Sequence, residues 1–409
     1  MSRPLSIRAV AWIRTTPLRP VLRLIVHSIR FFVAVLYFPL AVLLLIGRVR
    51  LIALTHPGRI GHLCIEPDCF IKEGILGLRP RFHGVFLVPR GRAANRKLLD
   101  LWKEQLTIVT SPVLCAAIGP LLRYAFVRYP VDHYAVAIES TAACGAIYAK
   151  WGDRPPLLKK ESVDIQAGWQ VLQALGLPAG SWFVCVHSRD GHYSPHDEHV
   201  HSYRNSSIEN YRLAMEAIHE RGGWCVRVGE PTPASLPPMR GVIDYANSDK
   251  KSDWMDVFLC AHCRFFLGNS SGLYLVSTAF GVKSALANLI PISGALPVGC
   301  DDLGIPKLLR SRQTGTPIGY GDILGTAIAN FRFGWQYDEK NILVEENSAE
   351  DIKNLAIELL ERLSGAGKYG EEDEKLQERF HSLIRPGHYS FGADSRIGRD
   401  FLREHAHLL

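Results

Sequence analysis

Two blocks of the chain carry residue types suited to holding a phosphate group. They are His187-Ser-Arg-Asp190, after the apolar run Trp182–Val186, and Gly268-Asn-Ser-Ser-Gly272, after Arg264–Leu267. Gly268 and Gly272 permit close backbone approach. A helix starting at that turn would offer unpaired N–H groups and the positive end of its dipole. Asn269, Ser270 and Ser271 add side-chain donors, so the turn suits a diphosphate held without a metal; a plain N-cap turn has the same composition. In the first block, Arg189 can neutralise charge on a leaving diphosphate through paired hydrogen bonds. His187 either donates to that phosphate or orients the loop. Asp190 is placed to take a proton from an acceptor hydroxyl, as inverting sugar transfer requires, or else to pair with Arg189 or Arg204.

The neighbouring residues extend this set. Tyr203-Arg204-Asn205 opens the next helix and offers donors to phosphate or sugar. Arg227-Val-Gly-Glu230 either holds a base or ribose or pairs within itself. The loop 191–205 carries His192, His196, His199, His201, Asp197 and Glu198, but without the spacing of a metal site, and no metal is expected. Asp253 and Asp256 read as a cap and a structural partner. Cys260-Ala-His-Cys263 has metal-like spacing, yet no second cysteine pair exists to complete four ligands. The nine cysteines, scattered and odd in number, read as buried thiols of a reducing compartment.

Each block ends a β-type run as a buried parallel strand ends where it opens into a ligand crevice. The elements around them alternate. Strands are expected at His62–Glu66, Gly84–Pro89, Thr107–Thr110, Trp182–Val186, Trp224–Val228, Val242–Tyr245, Arg264–Leu267 and Ser284–Leu289. Helices are expected between them, including one from Ser207 to Arg221 capped by Ser206, one at Asp253–Ala261 capped by Ser252, and one near Tyr320–Phe331. Gly58–His62 and Gly74–Gly77 read as a glycine-rich edge for a substrate loop, and Lys150–Glu161 as the approach to an interdomain linker. The fold expected is α/β, with two Rossmann-like domains at 58–175 and 176–345, the arrangement called GT-B, followed by C-terminal helices at 346–409. A two-domain epimerase or a periplasmic binding protein would share this pattern; no signal peptide is expected, which disfavours the latter.

The 409 residues are 47% apolar and 21% charged, which excludes wholesale disorder. Their net charge of +7 is uneven. Residues 1–65 hold nine arginines and no Asp, Glu or Lys, leaving 38 basic against 40 acidic residues elsewhere. No nucleic-acid surface is expected on the body. Phe31–Gly47 is a 17-residue stretch without charge, about 26 Å as a helix, slightly short of a ~30 Å hydrocarbon core, with Pro39 at its middle. Residues 1–57 are therefore expected to be a membrane-associating segment, lying on an anionic leaflet or re-entrant, with a single span as the next choice and the body on the cytoplasmic side.

The blocks HSRDGHY (187–193), HSYRN with IENY (201–211), VRVGEP (226–231), IDYANSDKKSDWMDVFLCAHCRFFLGNSSG (243–272) and GRIGHL (58–63) resemble a bacterial family of GT-B glycosyltransferases, distantly fucosyltransferase-like and associated with surface polysaccharide assembly. The resemblance covers roughly residues 58–345. It implies donor binding by the second domain, acceptor binding by the first, and contact of His187 and Arg189 with the donor diphosphate. In fucosyltransferase-like relatives Gly-Asp follows the arginine; here Asp190-Gly191 stands instead. The expectation is a metal-independent, inverting glycosyltransferase at the cytoplasmic face of a bacterial inner membrane. It would use a nucleotide-sugar donor as substrate, no separate cofactor, and a glycan or lipid-linked acceptor. A catalytically silent scaffold and a nucleotide-sugar epimerase are the rivals.

Overall fold

Three segments far apart in sequence, Met1–Ala53, Arg81–Gly91 and Leu106–Pro130, gather into one unit, and the rest of the chain forms a second. The computed structural model describes residues 19–134, 143–191, 198–232 and 236–409.

The first unit holds a parallel sheet in the order β1-β2-β3, from Val49–Ile52, His83–Leu87 and Thr107–Val109. The second and third strands fall where the sequence places them. The first lies inside the stretch assigned to the membrane segment, where the apolar run of Phe31–Gly47 masks it. A helix, Arg19–Ile46, precedes this strand and runs on through Pro39. Its last 20 residues, His27–Ile46, are apolar and almost wholly uncovered by protein. A small core of Ala41, Leu51, Leu121 and Val127 joins the helix to the sheet.

The second unit is built on seven parallel strands in the order β12-β9-β8-β7-β4-β5-β6. Their ranges are Phe183–Val186 (β4), Trp224–Arg227 (β5), Val242–Ile243 (β6), Phe266–Gly268 (β7), Ser284–Leu289 (β8), Leu303–Pro306 (β9) and Arg396–Ile397 (β12). An antiparallel pair, Leu308–Ser311 (β10) and Ile342–Glu345 (β11), stands apart. Every residue of β4, β7 and β8 is buried, as a sheet covered on both faces demands. From β4 the order runs outward to β5 and β6 on one side and to β7, β8 and β9 on the other. This reversal opens a crevice at the carboxyl ends of β4 and β7.

Several elements depart from the sequence reading. His62–Glu66 is not a strand but the start of a helix, Ile60–Ile75. The alternation Leu63, Ile65 mimics a strand, yet all eight residues Leu63–Phe70, with Gly61 and Lys72, are buried along one helical element. Gly74–Gly77 closes that helix. Lys150–Glu161 lies within the second unit, not between units. The helix after loop 191–205 splits into a 3-10 turn, Ile208–Tyr211, and an α-helix, Arg212–Glu220; its cap is Ser207, whose Oγ accepts the Glu209 N–H at 3.3 Å. The Tyr320–Phe331 helix is likewise broken in two. Residues 346–409 supply β12 as well as helices, and Ala349–Leu363 packs into the core of the sheet domain. Ser252 caps the helix expected of it, and Ser348 caps the C-terminal helix Ala349–Leu363, each accepting the N–H three residues on. All nine cysteines are free thiols, eight of them buried.

Candidate functional site

The switch point positions the two phosphate-suited blocks side by side. The His187 N–H donates to the Leu267 carbonyl at 2.9 Å, so the residues that follow β4 and β7 leave the sheet as neighbours. They open into a cavity of about 810 Å³. Its wall includes His187, Ser188, Arg189, Asp190, Arg204, Arg227, Glu230, Ser270, Ser271 and Gly272, ten residues drawn from the sequence reading or adjoining it. Gly268, Asn269 and Asn205 are not on this wall.

Those three have a different task. A Cβ on Gly268 would lie 2.7 Å from the His187 carbonyl oxygen, so glycine is required there by strand packing, not by a ligand. Asn269 is 1% exposed and donates through Nδ2 to Ser206 Oγ at 3.1 Å. Ser206, the residue expected to cap a helix, is instead buried as a hub: its N–H donates to the Arg189 carbonyl at 3.0 Å and its Oγ also meets Ser188 Oγ at 3.0 Å. Asn205 braces the arginines. Its Oδ1 accepts from Arg189 Nη1, its Nδ2 donates to Glu198 Oε1 at 2.6 Å, and its carbonyl accepts from Lys307 Nζ at 2.6 Å. Burial pushes the Lys307 ammonium down to about 8.

Positive charge converges on the cavity. Burial, and then the neighbouring Arg204, push the Arg189 guanidinium below its ordinary value, although it stays protonated. Arg204 donates through Nη2 to the Ser270 carbonyl at 2.7 Å, while its Nε is buried with no protein partner. Ser271 Oγ is buried and equally unpartnered. Arg227 pairs with Asp244 at 3.3 Å, while Glu230 is exposed, so the two do not simply pair with each other. Arg59 and Arg332, which sequence spacing does not single out, also line the wall, and Arg332 Nη1 is buried and unpartnered. Asp253 accepts the Arg96 N–H at 2.8 Å, and Asp256 is held by Lys251 and Tyr245, each at 2.9 Å; both have the structural roles expected.

His187 is neutral. Its Nδ1 meets the Val228 carbonyl at 2.9 Å, and since a carbonyl only accepts, the proton sits on Nδ1. Burial takes its pKa down to about 4. The unfolded chain protonates an ordinary histidine near 6.5, so the stability that neutral His187 contributes is complete above that pH and is lost as the pH falls through about 4. The expected outcome is an acid-side loss of roughly 3 kcal/mol between those limits, measured by denaturant titration and reduced in His187→Asn.

One element of the wall reads in the sequence only as a glycine-rich edge running into a strand. The helix Ile60–Ile75 begins at the cavity, with His56, Arg59, Gly61 and His62 facing it. It abuts the helix Gly272–Ala279 so closely that a Cβ on Gly272 would lie 2.6 Å from the Gly61 nitrogen. One turn in, Glu66, with 0% exposure, accepts the Thr55 N–H at 3.0 Å and meets His62 Nδ1 at 2.7 Å. The carboxylate fixes the proton on Nδ1 and leaves Nε2 with a free lone pair, the arrangement that makes an oriented base. The signal in the sequence was His-x-x-x-Glu, which shares a face only on a helix.

No protein-family model matches the chain, and no curated protein matches it. Solved structures similar to it are glycosyltransferases. The iron-containing dodecameric glycosyltransferase TibC from enterotoxigenic E. coli has 14% identity, with 59% of this chain and 58% of that chain covered and a TM-score of 0.35. This chain thus spans under three fifths of TibC's length. A glycosyl transferase family 9 protein from Veillonella parvula has 11% identity, coverage of 58% and 80%, and a TM-score of 0.38. The E. coli ADP-heptose lps heptosyltransferase II has 15% identity, coverage of 58% and 83%, and a TM-score of 0.37. Likeness this loose fixes neither activity nor substrate.

Proposed function

We propose that the chain is a GT-B-type glycosyltransferase that moves a sugar from a nucleotide-diphosphate donor to a surface-glycan or lipid-linked acceptor without a metal ion. The observation that carries this reading is the cavity at the β4/β7 switch point, where Arg189, Arg204 and Arg332 converge with the start of the Gly272–Ala279 helix. Buried donors without protein partners, Arg204 Nε, Arg332 Nη1 and Ser271 Oγ, suit the oxygens of a diphosphate. Fixed guanidinium charge supplies the neutralisation a metal would otherwise provide.

The acceptor is activated by His62 in this reading. Its Nε2 takes the hydroxyl proton, the hydroxyl oxygen bonds to the anomeric carbon, and the diphosphate leaves with the electron pair of the broken bond, its charge met by Arg189. Attack from the face opposite the diphosphate inverts the anomeric centre. Asp190 shares the cavity; the buried Glu66 that orients His62 is what favours His62 as the base. His187, whose N–H is committed to Val228, orients the ends of β4 and β5 instead of donating to phosphate. Buried free thiols suit a body on the cytoplasmic face of a bacterial inner membrane, with residues 1–57 at the lipid surface.

A thermal-shift panel of nucleotides and nucleotide sugars in EDTA tests this. One nucleoside diphosphate and its sugar are expected to stabilise the protein, by about 2.7 kcal/mol at a hundredfold excess over Kd. Absence of any shift from a folded sample would sink the donor assignment.

A further inference from the structure

The charge asymmetry of the sequence follows the structural unit, not merely the N-terminus. The three segments 1–53, 81–91 and 106–130 together hold twelve arginines and not one Asp, Glu or Lys. The rest of the chain carries 35 basic against 40 acidic residues. Such a sorting of three separated segments suits a shared anionic partner. Arg30, Arg48, Arg81, Arg90, Arg123 and Arg128 are all exposed.

The same unit exposes a second apolar element. The helix Pro112–Ile118 has no polar side chain beyond the thiol of Cys115, which is the one residue it buries. Val113 is 76% and Leu114 53% exposed. This helix is continuous with the turn Gly119–Arg123, which is pinned to the terminal helix: Arg123 Nη1 donates to the Arg30 carbonyl at 2.5 Å, and the Tyr124 hydroxyl donates to the Ala34 carbonyl. At its other end the terminal helix passes through Gly47 into β1 of the same sheet.

These pins bear on how the helix meets a bilayer. From Arg30 to Ile46 is about 24 Å of helix, and the one folded unit grips the helix partway along, at Arg30 and Ala34, and at its C-terminal end. A helix crossing the hydrocarbon would carry Arg123 and Tyr124 to the far side or leave them within it. A helix lying in the interface needs neither, and the same unit leaves Val113 and Leu114 exposed, as it does Phe31, Phe32, Val35 and Leu36.

We propose that this whole three-segment unit is a monotopic seat for an anionic phospholipid surface, with the terminal helix and the Pro112–Ile118 helix as two apolar contacts and the unit's exposed arginines reading lipid charge. The proposal widens the membrane contact beyond residues 1–57 and does not depend on the transferase reading.

The test is flotation of the full-length protein with vesicles of phosphatidylcholine alone or with phosphatidylglycerol added, without any donor present. Wild type is expected to bind the anionic vesicles at least about tenfold more tightly than the neutral ones, with the advantage falling as salt rises. The double variant Val113→Glu/Leu114→Glu is expected to lose about tenfold or more in binding to anionic vesicles while keeping its unfolding temperature in solution, since neither side chain packs in a core. Arg123→Glu/Arg128→Glu should bring anionic binding toward the neutral level. Unchanged binding of the apolar double variant would show that the terminal helix anchors alone. Equal binding of wild type to both vesicle types would remove the arginines' role. Either result overturns the proposal.

Discussion

Replacing His62 by glutamine lowers the turnover of sugar transfer by about 10²- to 10⁴-fold, the range a positioned general base contributes, and leaves the donor-induced thermal shift intact. Glutamine preserves much of the side chain's size and can still donate toward Glu66, but it has no basic lone pair to present. Glu66→Gln is expected to have a similar effect by another route. The Glu66 oxygen that accepts the Thr55 N–H must remain an oxygen, so the new amide NH2 would face His62 Nδ1. That turns Nδ1 into the acceptor and moves the proton to Nε2, the wrong tautomer for a base. The assay is steady-state kinetics with the identified donor, and the pH profile of kcat should lose its acid limb in both variants. If Asp190→Asn abolishes turnover while His62→Gln costs less than about threefold, the base is Asp190, as the sequence alone would have it.

The second large effect is at Arg189. Arg189→Ala is expected to weaken donor binding by about 10- to 100-fold, the worth of a lost hydrogen bond to a charged group, and to erase the thermal shift at donor concentrations that saturate the wild type. Arg189→Lys keeps the charge without the planar fork and should recover part of the loss. The substitution also leaves Asn205 Oδ1 without the guanidinium it accepts from, so the unfolding temperature without ligand must be measured beside it. A folded Arg189→Ala protein that retains the full donor shift would move the diphosphate away from this strand end.

What the sequence made legible follows from where its physics is local. The buried strands β4 and β7 announce themselves as apolar runs that break into polar residues, and the caps Ser252 and Ser348 stand at the start of periodic segments. Reading both strand ends into one crevice required only that they pair, which they do. The rest depended on tertiary neighbours. Asn269 looks like a ligand donor until Ser206 is seen to claim it. Arg227 finds Asp244, 17 residues on. Arg332 reaches the wall from just beyond the helix expected near Tyr320–Phe331, and β12 joins the sheet from a stretch that reads as helical. The His62–Glu66 pair was hidden for a sharper reason: a spacing of four is informative only once the element is known to be a helix.

The all-arginine character of the first unit has a consequence for control. Guanidinium groups keep their charge at any pH a cell meets, and they offer no amine for acetylation. A lysine-rich patch can be discharged residue by residue; this one cannot. If the unit rests on a membrane, neither a pH change nor acetylation can release it through these groups, which leaves the amount of anionic lipid in the leaflet as the lever on that attraction.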